Sequence, residues 1–214
     1  MMQEKTIFDL ACTKCSRLNE FLLEVKQQHP EYHARPVAPF GVENPRLLIV
    51  GLAPGMHGAN ATGRPFTGDY AGLLLYKTLY KFGFSNQPTS ESLQDGLKLV
   101  NCRITNAVKC LPPQNKPNGA EIRQCNDYLT AEIQQLPESA VILALGGIAH
   151  NAVLQACGLK RSSAKFAHNA VHALADNRIM VDSYHCSRYN VQTRRLTSEM
   201  FEDVFHNVKK VMSE

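Results

Sequence analysis

No apolar run in this chain of 214 residues approaches the roughly 20 residues that a membrane-spanning helix needs. Its first residues, MMQEKTIFDLACTKC, lack the basic-then-apolar form of a secretory signal peptide. No internal repeat or low-complexity tract stands out, and no Pro/Gly/Ser-rich linker divides the chain. Charge of either sign is in short supply as well: 23 Lys and Arg against 19 Asp and Glu leave a net charge of +4. That excess permits a polyanionic partner, but an ordinary solvated surface explains it equally well. These absences lead us to expect a soluble intracellular protein, cytoplasmic and, in a prokaryote, nucleoid-associated. At this length one good-sized α/β domain over residues 1–214 is expected, as a monomer. The composition, 44% hydrophobic and 20% charged, supplies ample material for a core.

Cysteine is present in an odd number, seven. In an intracellular chain that argues against a disulfide framework and for metal binding or free thiols. Cys12 and Cys15 form a C-x-x-C, and Cys110 and Cys125 lie far downstream. By itself the C-x-x-C fits a redox pair, half a zinc site, or two ligands of an iron–sulfur cluster.

Apolar spacing and breaker residues predict alternating strands and helices. A helix that follows or includes the C-x-x-C is expected within 7–28, further helices over 73–82, 120–135, 147–157 and 197–212, and strands over 46–50, 100–108, 140–145 and 178–184. This order predicts an α/β three-layer sandwich: a central, mostly parallel four-stranded sheet flanked by helices. Ligands of such sheets bind beyond the carboxyl ends of the strands. The rule gathers three polar segments: the loop from Gly51, residues 106–117, and the segment from His185.

The first of these, GLAPGMHGANATGRPFTGD (51–69), poses the central question. It spends five glycines and two prolines directly after a buried strand and closes on the carboxylate of Asp69. It lacks the G-x-x-x-x-G-K-[ST] of a nucleotide-binding P-loop, which counts against an ATPase. On position alone, Asp69 reads as the N-cap of the following helix. His185 reads as a strand-end histidine, Asn106 as a turn residue, and Phe66 as a core phenylalanine.

Together with TNAVKCLPPQNKP and HCSRYNVQTRRLT, this loop resembles the motifs of the uracil-DNA glycosylase superfamily. The likeness is greatest to the superfamily's fifth family, often called type B, and extends from Cys12 to about Thr197. The resemblance implies an enzyme of DNA base excision repair. Such an enzyme flips uracil out of single- or double-stranded DNA and hydrolyses its N-glycosidic bond. In that reaction positive charge develops on the sugar and negative charge on the departing base. It calls for a carboxylate near the sugar and a hydrogen-bond donor near a base oxygen.

The resemblance assigns these tasks to Asp69 and His185. Asn106 would read the base edge, Phe66 would stack on it, and the backbone at Gly51 would approach it closely. Phosphate contacts would come from Lys116, Ser187, Arg188, Asn190, Arg194 and Arg195. Either Arg188 or Tyr189 would fill the gap left by the flipped nucleotide. Cys12, Cys15, Cys110 and Cys125 match the places that hold a [4Fe-4S] cluster, leaving Cys102, Cys157 and Cys186 as free thiols.

The sequence departs from the family pattern at three points. Leu52 and Ala53 stand where other branches carry an acid or amide, Ala61 of Asn60-Ala61-Thr62 replaces the arginine of the frequent Asn-Arg-Thr, and Cys186 replaces the proline of His-Pro-Ser. Excision of hypoxanthine is an expected extension of the substrate range. Two other classes remain open: an iron–sulfur nucleic-acid-binding or redox-sensing protein without excision, and a small-molecule hydrolase using Asp69 and His185.

Overall fold

The computed structural model describes residues 8–174 and 177–213. Four short apolar segments build the centre of the sheet: β2 (Leu47–Gly51), β3 (Cys102–Asn106), β4 (Val141–Leu145) and β6 (Ile179–Ser183). β2 and β4 are buried along their whole length. Such near-continuous hydrophobic runs belong to parallel strands covered on both faces. Parallel pairing links β3 to β2, β2 to β4 and β4 to β6.

The sheet has six strands rather than four, because β1 (Phe40–Gly41) and β5 (Val171–Ala173) add antiparallel edges. Two or three residues are too few to carry an alternating pattern, so these edges left no readable trace in the sequence. The strand order is β1-β3-β2-β4-β6-β5.

Side-chain alternation divides the core into two layers. Leu47 and Ile49 of β2 join one cluster with α3 (Tyr70–Lys81) and α7 (Ser198–Ser213). Leu48 and Val50 point the other way, toward α4 (Gly119–Gln134) and α5 (Gly147–Ala156). The result is the three-layer α/β sandwich expected.

α1 (Ser16–Gln28) takes no part in either layer. It packs Leu18, Leu22 and Val25 against Val108, Leu111 and Cys125, beyond the end of β3. The helix follows the C-x-x-C, one of the two placements that its apolar spacing allowed: residues 8–15 are not helical, and residue 7 lies outside the described residues. α1 is tied to α4 by Arg17, whose Nε and Nη2 each donate to Glu121 at 2.7 Å. Glu121 also closes a capping box with Asn118 at the start of α4. Two further short helices, α2 (Ala59–Thr62) and α6 (Arg188–Gln192), lie inside segments read from sequence as loops.

Candidate active site and cysteine cluster

The carboxyl ends of β2, β3, β4 and β6 open into one cleft of about 540 Å³. Its walls include Asp69, Phe66, Asn106, His185, Ser187 and Arg188. Parallel register sets Gly51 directly beside Asn106 at this edge.

The glycines of the first motif make room for two side chains. A Cβ on Gly51 would lie 2.4 Å from Asn106 Oδ1 and 2.7 Å from Phe66 Cζ. A Cβ on Gly58 would lie 1.9 Å from Asp69 Cγ and 2.1 Å from both carboxylate oxygens. The glycines thus let the Asn106 amide and the Phe66 ring pack directly on the backbone at Gly51, and the Asp69 carboxylate on that at Gly58.

Asp69 does stand at the N-cap position of α3, yet its side chain makes no cap hydrogen bond there. The carboxylate turns back across the loop and accepts from the backbone N–H of Ala59 at 3.3 Å, at the start of α2. Burial pushes its pKa above the ordinary aspartate value, against the opposing pull of the Ala59 N–H and of nearby His57.

Phe66 is 6% exposed and belongs to the core cluster, but it also lines the cleft. Its backbone has φ 58°, a left-handed conformation that a bulky residue rarely adopts. Surrounding contacts impose it. Tyr76 Oη donates to the Pro65 carbonyl at 2.7 Å, and Thr67 Oγ1 pairs with Ser90 Oγ at 2.6 Å. Buried Arg64 binds Asp95 and Ser90 at 2.9 Å while lying over the Phe40 ring. Strain held by its surroundings is common at functional sites.

The rings of Phe66 and His185 stack with centroids 5.9 Å apart. Burial lowers the His185 pKa to about 4, so the imidazole is neutral near pH 7. Its Nδ1 is buried without a hydrogen-bond partner among the described residues. The loop that carries it is held without the family's proline. Cys186 is buried in the core, and the Asn190 amide donates to the His185 carbonyl at 2.8 Å. Ser187 caps α6 through the N–H of Asn190.

The other rim residues differ in what they offer. Arg188 lies over the Tyr70 ring, 5.2 Å from its centroid, and Arg195 lies over Tyr184. Tyr189 is 70% exposed and projects from the same short helix as Arg188. Lys116 and Arg194 are exposed, whereas Asn190 uses its amide inside the loop.

Sequence reasoning missed a fourth wall, formed by Gly146, Gly147 and Ile148 at the start of α5, and missed Asn115 at the opposite side. The first had a signal, since Gly146-Gly147 follows an apolar strand in the same way that Gly51 does. Asn115 had none, because its left-handed φ of 56° is invisible in a run of turn formers.

Below this edge, Cys12, Cys15, Cys110 and Cys125 line one recess, together with Leu18 and Tyr128. Burial, followed by the charge of the neighbouring cysteines, pushes the Cys110 thiol up to about 12. Cys125 is likewise raised to about 11 by burial, although Lys109 opposes the shift. The four are neutral as thiols; deprotonated in one recess, they would need a cationic centre among them. The Lys109 N–H donates to Cys125 Sγ at 3.2 Å, the kind of contact that tunes cluster sulfurs. The donor set therefore fits an iron–sulfur cluster.

Lys109 was not singled out from sequence, yet it anchors this loop. It is 1% exposed, and its ammonium pairs with Glu132 of α4, itself 2% exposed, and with Thr105 of β3.

Comparison with known proteins agrees with this geometry. Residues 38–209 match the uracil DNA glycosylase superfamily. The chain belongs to that superfamily. It is 45% identical over 207 residues to the type-5 uracil-DNA glycosylase of Thermus thermophilus, covering 94% of each chain. The type-5 enzyme of Mycobacterium leprae is 42% identical, over 94% of this chain and 91% of its own. That of Pyrobaculum aerophilum is also 42% identical, over 90% and 85%.

Proposed function

We propose that the protein is a monofunctional uracil-DNA glycosylase of base excision repair, acting on uracil in single- and double-stranded DNA. The observation that carries this reading is the convergence of Asp69, Phe66, Asn106 and His185 on one cleft. Family membership supports it over a binding or redox-sensing protein that has lost excision, and over a small-molecule hydrolase. A cellular site wherever genomic DNA lies, the cytoplasm and nucleoid of a prokaryote, follows from the activity, and a monomer suffices for it.

The flipped uracil enters the cleft between Phe66 and the strand ends. Stacking on the Phe66 ring holds its plane, and the Asn106 amide meets its N3–H and O4 with one acceptor and one donor. Neutral His185 donates a hydrogen bond to a base oxygen, where negative charge gathers as the glycosidic bond breaks. Ionised Asp69 faces the sugar. It stabilises the oxocarbenium-like cation, orients the attacking water, or does both.

At the rim of the cleft, Arg188 is braced on Tyr70 while Tyr189 projects into solvent, so Tyr189 is assigned to the gap left by the flipped nucleotide. Ser187, Arg194, Arg195 and Lys116 are assigned to phosphates. Asn190 serves its own loop first.

Cys12, Cys15, Cys110 and Cys125 would hold a [4Fe-4S] cluster, which would supply a rigid cross-link and no step of the hydrolysis. It would bind α1 to the segment after β3, whose far end lines the cleft at Asn115.

Purified protein should release uracil from oligonucleotides of either strandedness, leaving an alkali-labile abasic site. Asp69→Asn, purified in parallel, should leave the strand intact. DNA binding without uracil release by the wild-type chain would favour the binding-protein reading. Hypoxanthine release tests the wider substrate range separately, since its absence would leave uracil excision untouched.

A further inference from the structure

A second cluster of chemistry-bearing side chains lies behind the cleft, at the outer end of the sheet. Asp182 of β6 is 0% exposed, and two imidazoles converge on its carboxylate. His150 Nδ1, from α5, stands 2.8 Å from Oδ1, and His172 Nε2, from β5, stands 2.9 Å from Oδ2. None of these residues lines the cleft, and excision has no use for them.

The hydrogen positions around His150 carry the argument. Its Nε2 faces the carbonyl oxygen of Ala164 at 3.1 Å. A carbonyl only accepts, so Nε2 carries the hydrogen. In a neutral ring Nδ1 then presents a lone pair to an ionised carboxylate, and two acceptors in contact need a cation between them. A second proton on His150 is one solution. A metal ion is the other, and the surroundings have the form that metal-bound histidines take. Such a histidine donates its outer N–H to a backbone carbonyl or carboxylate, which fixes its tautomer.

We propose that His150 Nδ1, His172 Nε2 and Asp182 form a binding site for a divalent cation of the zinc class. One ligand atom from each residue already lies within 4.8 Å of the other two. Around tetrahedral zinc, adjacent nitrogen and oxygen ligands are about 3.3 Å apart. The two imidazole–carboxylate contacts, 2.8 and 2.9 Å to the two oxygens of Asp182, would each open by about half an ångström to reach that separation. Imidazole and carboxylate donors together favour zinc over magnesium or calcium. His172 is 15% exposed, which gives the ion an entry path and leaves a fourth position for water. A bound ion would tie β5, β6 and α5 together three residues before His185. The site is independent of the excision reading and of the cysteine cluster.

The test uses the iron-loaded full-length protein, dialysed with Zn²⁺ and freed of unbound ion. Elemental analysis should find one zinc per chain with iron unchanged. X-ray absorption at the zinc edge should show nitrogen and oxygen neighbours at about 2.0–2.1 Å. His172→Gln is the informative variant. Its amide still donates to Asp182 where Nε2 did, but it does not ligate zinc. Affinity should fall by more than about 100-fold, beyond the loss of an outer hydrogen-bond partner, while uracil release continues at the wild-type rate. Three results would each overturn the proposal: no zinc retained by the wild type, a sulfur shell at about 2.3 Å, or equal zinc affinity in His172→Gln. The triad would then be a protonated, purely hydrogen-bonded pair of histidines on one carboxylate.

Discussion

Replacing Asp69 by Asn separates catalytic from structural roles, because the two side chains have almost the same shape. The amide oxygen can keep the one backbone contact, the 3.3 Å bond from Ala59 N–H. It fits the same space beside Gly55 and Gly58. What disappears is the charge. If that charge meets the sugar cation only in the transition state, the single-turnover excision rate should fall by about 10²–10³, equivalent to about 2.7–4 kcal/mol. Binding of uracil-containing DNA, followed by fluorescence anisotropy, should be nearly unchanged.

Stability should move the other way. Burial raises the Asp69 pKa in the folded state above its unfolded value. A raised carboxylate pKa means the folded protein holds its proton longer, so stability falls as pH rises from the unfolded pKa through the folded one. That cost is present wherever the folded carboxylate is ionised, and Asn does not incur it. The variant should therefore melt at the wild-type temperature or slightly above while being nearly inactive. A near-normal rate, or a melting temperature lowered by several degrees, would return Asp69 to a structural role and require another acid.

The pH–rate profile should show one acid limb, set by Asp69 and displaced above the ordinary aspartate range. It should then run flat through pH 6–8, because His185, lowered to about 4, has already lost its proton; a limb near 6.5 would contradict the neutral-donor role. Gly58→Ala, whose new methyl would sit 1.9 Å from Asp69 Cγ, should depress excision about as much as Asp69→Asn, with folding checked by circular dichroism. Lys109→Met should leave Glu132 buried without its partner and cost about 3–5 kcal/mol, read as a lowered melting temperature. Tyr189→Ala should slow uracil release from duplex DNA several-fold more than from single strands, since only the duplex has a stacked gap to fill; equal slowing would favour Arg188 as the wedge.

Most of the scaffold could be read in advance because its signals are local. Leu47 to Val50 and Val141 to Leu145 are continuous apolar runs, and the structure buries them on both faces. The four core strands and the five long helices needed nothing more. What escaped depends on contacts distant in sequence. β5 exists because Val171 to Ala173 pair with β6, and their own pattern, exposed at both ends, carries no strand signal. Lys109 drew no reading from the sequence, and only α4 packing beside β3 reveals its buried partner. The same limit applied to Asp69. Its position named it a helix cap, and the cap position is real, but the side chain turns toward Gly58 instead.

That turn explains why the loop after β2 is so rich in glycine. A carboxylate on the cleft wall, facing an incoming sugar, must be close to its target yet not neutralised by the protein. A lysine or arginine beside it would lower its pKa and also cancel the field meant for the transition state. Here the carboxylate has one long N–H bond at the start of α2 and a nearby histidine, too little to offset burial, so its pKa stays raised. In the proposed reaction it would enter under-compensated, and the sugar would supply the counter-charge it lacks as the glycosidic bond stretches. Glycine at 55 and 58 is what permits this, because backbone alone can enclose a charge so tightly without bringing a charge of its own. Across the cleft the same burial acts on His185 with the opposite consequence, stripping its proton so that under the proposed mechanism it would donate to the departing base as a neutral group. On that mechanism one cleft would prepare an anion for the sugar and a neutral donor for the base, and both would gain most when charge separates between them.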